Sequence, residues 1–381
     1  MRQLLHNCRV FDGECVHDDL AVLVSDGKVL ELVAAGQKAT AAVSVDLSGN
    51  LLAPGLIDLQ INGGGGVLFN DAPSVDTLVT IAAAHRPFGT TAFLATLISD
   101  DDTVMERGIA AVKAAISQGL PGVLGIHLEG PYLNPQRKGV HDAAKIRGFD
   151  EQMVELLSSL HHGSTLLTVA PEKLPVRAIT TLTERGVVVF GGHSAATYAQ
   201  TRAALDAGLR GFTHLFNAME PLQSREPGMV GAALEDANSY IGIIADGYHG
   251  HPATFSVAIA AKAAGKSILI SDAMPSVGAS EKSFWLNGER IEAGNGRCTT
   301  ADGRLAGSDI GMIEAVRNAS RFANIDSFEA LRMGSAYVAN ALGVDDRLGY
   351  IRPGYRANFI ELDESFAVVS SWIDGERQVH R

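Results

Sequence analysis

The sequence predicts an α/β fold: a (β/α)8 TIM-like barrel accompanied by a small β-sandwich domain built from both termini. Two observations carry this expectation. Between residues 52 and 345, eight apolar, β-branched runs alternate with alanine- and charge-rich segments of helical spacing. Eight such units occupy roughly 250 residues in a barrel, which favours closure over a doubly wound open sheet. Both ends of the chain, by contrast, read as short strands split by Gly, Pro and Asp-Gly turns.

The ends delimit the first expected domain. LLHNCRVFDG and LAVLVSDGKVLELV open the chain, and Asp26-Gly27 sits between two apolar runs as a hairpin signal. GYIRPGYRANFIELD and FAVVSSWIDGERQV close it in the same style, with no long amphipathic helix between them. Residues 1–51 plus 346–381 therefore form the small β-domain, and 52–345 the barrel. The barrel strands are expected in LLAPGLIDLQI, GTTAFLATL, GVLGIHLEG, STLLTVAPE, GVVVFGGH, GFTHLFNA, YIGIIADGYH and SILISDA. Helical spacing follows in segments such as SVDTLVTIAAAHRPF, DDTVMERGIAAVKAAISQ, AATYAQTRAALDAG and PATFSVAIAAKAAG.

Composition removes several function classes. A chain of 381 residues that is 46% hydrophobic can bury a large core, so disorder and coiled coil are excluded. The net charge of -12, without long runs of one sign, argues against a nucleic-acid surface. No stretch approaches the roughly 18 apolar residues of a membrane helix, and the first residues lack a cleavable apolar leader, so a cytoplasmic protein without a membrane partner is expected. Cys8, Cys15 and Cys298 form no CxxC pair, which speaks against a disulfide framework.

Active-site groups in a barrel project from the C-terminal strand ends. The polar residues closing the apolar runs are Gln60 and Asn62, Glu129, Glu172, His193, His214, Asp246 with His249, and Asp272. Glu129, His193 and His214, from strands three, five and six, offer the oxygen and nitrogen donors of one divalent metal such as zinc. Each histidine alone reads more readily as a satisfied core or loop residue; their joint position at strand ends favours ligation. Asp272 is placed to take a proton from a metal-activated water and return it to a leaving amine, and the bland alternative is an Asp capping the following turn.

The four glycines Gly63–Gly66 invite a phosphate-loop reading. A Walker loop needs a following Lys-Ser/Thr and a helix, and a dinucleotide loop needs G-x-G-x-x-G opening a helix. Neither is present, so backbone permissiveness beside a crowded site is the expected role.

APGLIDLQINGGGG, GIHLEGPYLNPQRKGVH, GGHSAAT, THLFNAM, REPG, IIADGYH, SDAM and LAGSD, in this order, resemble the N-acetylglucosamine-6-phosphate deacetylases of the amidohydrolase superfamily. The resemblance spans essentially the whole chain and implies an amidohydrolase-type barrel. It implies hydrolysis of N-acetyl-D-glucosamine 6-phosphate to D-glucosamine 6-phosphate and acetate. It implies a metal on Glu129, His193 and His214, with Asp272 as general base and then acid. His141, beside Val140 in KGVH, would contact the sugar near its acetamide. Asn217 and Ala218 would receive the phosphate, with Arg225 and His249 as its cationic partners. One of those two would reach in from the neighbouring subunit of a homodimer, although a surface pair between Arg225 and Glu226 is the plain alternative for the arginine. Leu305, Ala306 and Gly307 would form a loop completing the enclosure. Where most superfamily members carry His-x-His, this chain has Gln60-Ile61-Asn62, and where many have Asp it has Asn358. Amides are poor zinc ligands beside imidazole, so Gln60 and Asn62 mark a vacant second-metal position and a single metal is expected.

Overall fold

The computed structural model describes residues 2–37 and 43–381. Eight parallel strands form one sheet in strict chain order: β1 (Leu56–Ile61), β2 (Thr90–Ile98), β3 (Val123–Glu129), β4 (Ser164–Val169), β5 (Val188–Gly191), β6 (Gly211–Phe212), β7 (Tyr240–Ile244) and β8 (Ser267–Ile270). The ring closes where Ile61 bridges Ala273 in parallel, with the amide of Asn62 donating to the carbonyl of Ala273 at 2.9 Å. β1, β2 and β3 are buried along their whole length. That is why they read as continuous apolar runs: helices cover the outside of a parallel barrel and packed side chains fill the inside.

The helices lie where the spacing predicts them, at Val75–His85, Asp102–Ser117, Tyr198–Asp206 and Pro252–Ala261 among others. Their starts are written locally. The Ser74 side chain accepts from the amide of Thr77, and Thr197 forms a reciprocal capping box with Gln200.

Two features depart from the expected outline. LLAPGLIDLQI is two strands, because Leu51–Pro54 pairs with the strands of the chain ends before β1 begins. Gly55 makes the break. A Cβ there would lie 2.0 Å from the Thr91 hydroxyl, so no other residue lets the chain pass so close to β2. The second departure follows β8, where Ser283–Leu286, Glu289–Gly294, Arg297–Thr299 and Leu305–Ser308 form a four-stranded antiparallel sheet. Leu305, Ala306 and Gly307 thus belong to a strand and not to a loop. Two Asn-Gly pairs, Asn287-Gly288 and Asn295-Gly296, both at positive φ, make its tight turns.

The chain ends build two further sheets. One joins Lys28–Ala34, Leu20–Ser25, Gln3–His6 and Val43–Asp46; the other interleaves Arg9–Phe11, Val16–His17 and Leu51–Pro54 with Phe359–Leu362, Val368–Ile373 and Glu376–Val379. Leu5, Val10, Val22, Leu52, Phe359 and Trp372 share their core. Asn358 ties this region to the barrel: its Oδ1 accepts from the amide of Asp374 at 2.9 Å and its Nδ2 donates to the carbonyl of Thr91 at 3.3 Å. The three cysteines are free.

Candidate metal centre and substrate cavity

All but one of the predicted strand-end residues that could hold a metal or move a proton converge at the C-terminal mouth of the barrel, Glu172 being the exception. Glu129 ends β3, and His193, His214 and Asp272 each follow the last residue of their strand by a short step at φ of 48°, 31° and 52°. Left-handed backbone at three non-glycine residues is costly. Here it turns each side chain from the strand direction back over the barrel axis.

Glu129 Oε1 lies 3.1 Å from His193 Nε2 and 2.9 Å from His214 Nε2, and the two nitrogens are 3.0 Å apart. All three residues are buried. Burial alone would raise the Glu129 pKa, but hydrogen bonds and charge from the two histidines hold it well below the usual carboxylate range. His193 Nδ1 donates to the carbonyl of Arg137 at 2.8 Å, which leaves the Nε2 lone pair facing the cluster. His214 Nδ1 is buried without a partner. One carboxylate oxygen and two imidazole nitrogens, close enough to share a single ion, match the donor set of zinc-type catalytic sites.

Asp272 faces this group. Its Oδ1 accepts from Asn62 Nδ2 at 2.7 Å and from Gln60 Nε2 at 3.0 Å, and Gln60 Nε2 also reaches Glu129 Oε1 at 3.2 Å. Gln60 therefore bridges the two carboxylates while Asn62 holds Asp272 alone, and the carbonyl oxygens of both amides are buried without partners. Burial, then the charge of Glu129, pushes the Asp272 pKa up to about 6, against the pull of His214 and His249. The turn-capping alternative does not describe Asp272 Oδ1, which accepts from the side chains of Gln60 and Asn62.

Two further carboxylates brace the site. Asp58, which sequence reasoning missed, accepts at Oδ1 from the amides of Gln60 (3.1 Å) and Ser271 (3.2 Å), and at Oδ2 from the Ser271 hydroxyl. It thereby sets the residue preceding Asp272 against β1. A lone acidic residue inside an apolar run, GLIDLQ, was the available signal. Glu172 is not among the converging donors. It accepts from Asn134 Nδ2 (2.9 Å), Ser194 Oγ (2.6 Å) and the amide of Ala195 (2.7 Å), fixing the turn after His193.

A cavity of about 180 Å3 opens above the cluster. Of the predicted substrate residues, Val140, His141, Asn217, Ala218, His249, Leu305 and Gly307 line it. Ala306 does not; neighbouring strand residues face opposite sides, and Ala306 packs with Ile291 and Cys298 in an apolar cluster behind the wall. Arg225 does not line it either. It is exposed in the segment before the helix Gly228–Glu235. The Arg225–Glu226 pair is not formed, because Glu226 Oε1 accepts from the amides of Tyr198 (2.8 Å) and Gly228 (2.9 Å).

His141 Nδ1 accepts from the amide of Ser99 at 3.2 Å, so its proton resides on Nε2, 3.9 Å from Glu129 Oε2. Burial, then the neighbouring His193, lowers its pKa to about 3 and keeps the ring neutral. It is a fixed N–H donor into the cavity. His249 Nδ1 is oriented by Asp246 Oδ2 at 2.6 Å, while Asp246 Oδ1 accepts from the amides of Tyr248 and His249, both at 2.8 Å. The glycine run is explained by sterics: Gly63–Gly64 pairs with Val67–Leu68 as a minimal hairpin. A Cβ at Gly63 would stand 2.3 Å from the carbonyl oxygen of Val67, and one at Gly64 2.7 Å from His85 Nε2.

A parallel barrel whose rim gathers imidazole and carboxylate donors around a cavity defines a metal-dependent hydrolase of the amidohydrolase class. The amidohydrolase family model matches residues 51–377. The chain is 41% identical to an N-acetylgalactosamine-6-phosphate deacetylase of Shewanella sp. (strain ANA-3), over 86% of this chain and 83% of the relative. It is 36% identical to the N-acetylglucosamine-6-phosphate deacetylase of Haemophilus influenzae, over 99% of both. The crystal structure of N-acetylglucosamine-6-phosphate deacetylase from Pasteurella multocida superposes with a TM-score of 0.96 at 34% identity, covering 100% of each chain. The chain belongs to the N-acetylglucosamine-6-phosphate deacetylase family of amidohydrolases.

Proposed function

We propose that the protein hydrolyses N-acetyl-D-glucosamine 6-phosphate to D-glucosamine 6-phosphate and acetate in amino-sugar catabolism. The observation that carries this reading is the position of Asp272, which faces Glu129, His193 and His214 across a cavity into which the neutral His141 donates. A single divalent metal, zinc by its donor set, would be held by Glu129, His193 and His214 and would polarise the amide carbonyl and acidify a water. His141 Nε2–H donates to the acetamide oxygen as negative charge develops there. Asp272, ionised, takes the proton of the attacking water and delivers it to the sugar nitrogen as the C–N bond breaks. Gln60 and Asn62 hold Asp272 in place and leave a second metal position vacant.

Asn217, Ala218 and His249 line the side of the cavity that receives the sugar and its phosphate. His249 stands in its own cavity, which leaves Arg225 as the cation a second copy would supply in a homodimer. Purified cytoplasmic protein, with zinc quantified, should release acetate from the substrate. No turnover by protein carrying one equivalent of zinc rejects the reading. Arg225→Ala separates it from a related amidohydrolase acting on unphosphorylated amides, which would be indifferent to that change. The Shewanella relative favours a second reading, the 4-epimer N-acetyl-D-galactosamine 6-phosphate, and competition between the two sugars decides which is preferred.

A further inference from the structure

We infer that Leu68, Ile98 and Met274 form an acyl-selecting wall that restricts the enzyme to acetyl and smaller N-acyl groups; this rests on the deacetylase reading above. The three side chains are buried, pack in one apolar cluster and line the same cavity as Glu129 and Asp272. Each is carried by an element that also carries, or pairs with, a polar group of the site. Ile98 ends β2 directly opposite Glu129 in the β2–β3 register. Met274 follows Asp272 by two residues, and Leu68 sits on the short hairpin that follows Asn62.

The topology says which end of the amide meets this wall. Asn217, Ala218 and His249 follow β6 and β7, whereas Ile98 ends β2 and Leu68 follows β1, on the other arc of the ring. The amide nitrogen carries the sugar, so it points toward β6 and β7. With the carbonyl carbon held beside Glu129 and Asp272, the acyl methyl points the opposite way, at Leu68, Ile98 and Met274.

The wall is rigid from behind. A Cβ at Gly307 would come within 2.5 Å of Met274 Cγ, so Met274 is packed directly against the strand Leu305–Ser308. Asn70 clamps Ile98 from both sides, its Oδ1 accepting from the Ile98 amide at 3.0 Å and its Nδ2 donating to the Ile98 carbonyl at 3.1 Å. An apolar wall of this kind discriminates one methylene by about 10- to 200-fold, because close-packed side chains do not yield to extra volume.

The test is kcat/KM for the N-acetyl, N-propionyl and N-butyryl forms of glucosamine 6-phosphate with the zinc-loaded enzyme. The expected result is a loss of about tenfold or more at each added methylene, and a rise of about tenfold in the propionyl-to-acetyl ratio in Met274→Ala. Ile98→Val, one methylene smaller, should move the same ratio upward and serves if Met274→Ala does not fold. A flat acyl profile in the wild type, or an acetyl-active variant pair with unchanged ratios, overturns the wall and leaves the deacetylase reading intact. No hydrolysis of any N-acyl form overturns both.

Discussion

Asn62 donates from Nδ2 to Asp272 Oδ1 at 2.7 Å, joining the end of the first barrel strand to the residues just after the last. The contact spans 210 positions of sequence. It directs one carboxylate oxygen toward β1, and in the proposed mechanism the other carries the proton, so the properties of Asp272 are set by the closure of the ring.

The pH dependence of turnover follows from that carboxylate. Asp272 is raised to about 6 by burial and the charge of Glu129, and it must be ionised to accept a proton. Activity of the metal-loaded enzyme should therefore fall along an acid limb lying below about 6 and recover above it. A bound cation favours the ionised form and draws this limb to lower pH. Asp272→Asn should remove the limb with the activity, by about 10²- to 10⁴-fold, while still binding substrate. Because a raised carboxylate pKa means the ionised form costs stability in the metal-free fold, the variant should melt no lower than wild type at pH 8. A metal-free variant that melts well below wild type there contradicts the assignment.

Metal stoichiometry tests the role of Gln60 and Asn62. Fully active protein should contain one equivalent per chain by elemental analysis. Gln60→His combined with Asn62→His restores imidazoles beside Glu129 and Asp272 and should raise the content toward two. Two equivalents in the unmodified protein would show that the amides do not exclude a second ion.

In the proposed mechanism His141 is a neutral donor whose proton position is dictated by the Ser99 amide. His141→Ala removes that donor and should lower kcat by about 10²- to 10³-fold, the usual cost of one oxyanion donor. The loss should be flat between pH 5 and 8, since the ring, lowered to about 3, does not titrate there. A loss that tracks a proton in this range would mean that His141 works as an acid or base.

Glu172 shows how a carboxylate near a strand end can support a member of the Glu129–His193–His214 cluster without joining it. Its acceptors meet Asn134, Ser194 and Ala195 around the turn after His193. Glu172→Ala strands those donors and should cost about 1–3 kcal/mol of stability and about 10- to 100-fold in metal affinity through misplacement of His193. Calorimetry and metal titration of the same sample separate the two effects.

Much of this protein is local in origin. Apolar runs with period-breaking ends placed Glu129, His193, His214 and Asp272 at one rim, because strand direction is common to all units of a parallel barrel and each run reveals where its strand stops. What lay outside that logic depends on contacts between residues distant in sequence. Gln60 and Asn62 meet Asp272, and Asp58 meets Ser271, only because the ring closes in one register. Ala306 turns from the cavity while Leu305 and Gly307 face it, because an unforeseen sheet gave that segment a period of two. Arg225 stands clear of its own cavity, since the segment carrying it runs over the surface. Local spacing determines which residues reach the mouth of the barrel; the closure of the sheet decides which of them touch, and so which carboxylate is held by amides and which is held by imidazoles.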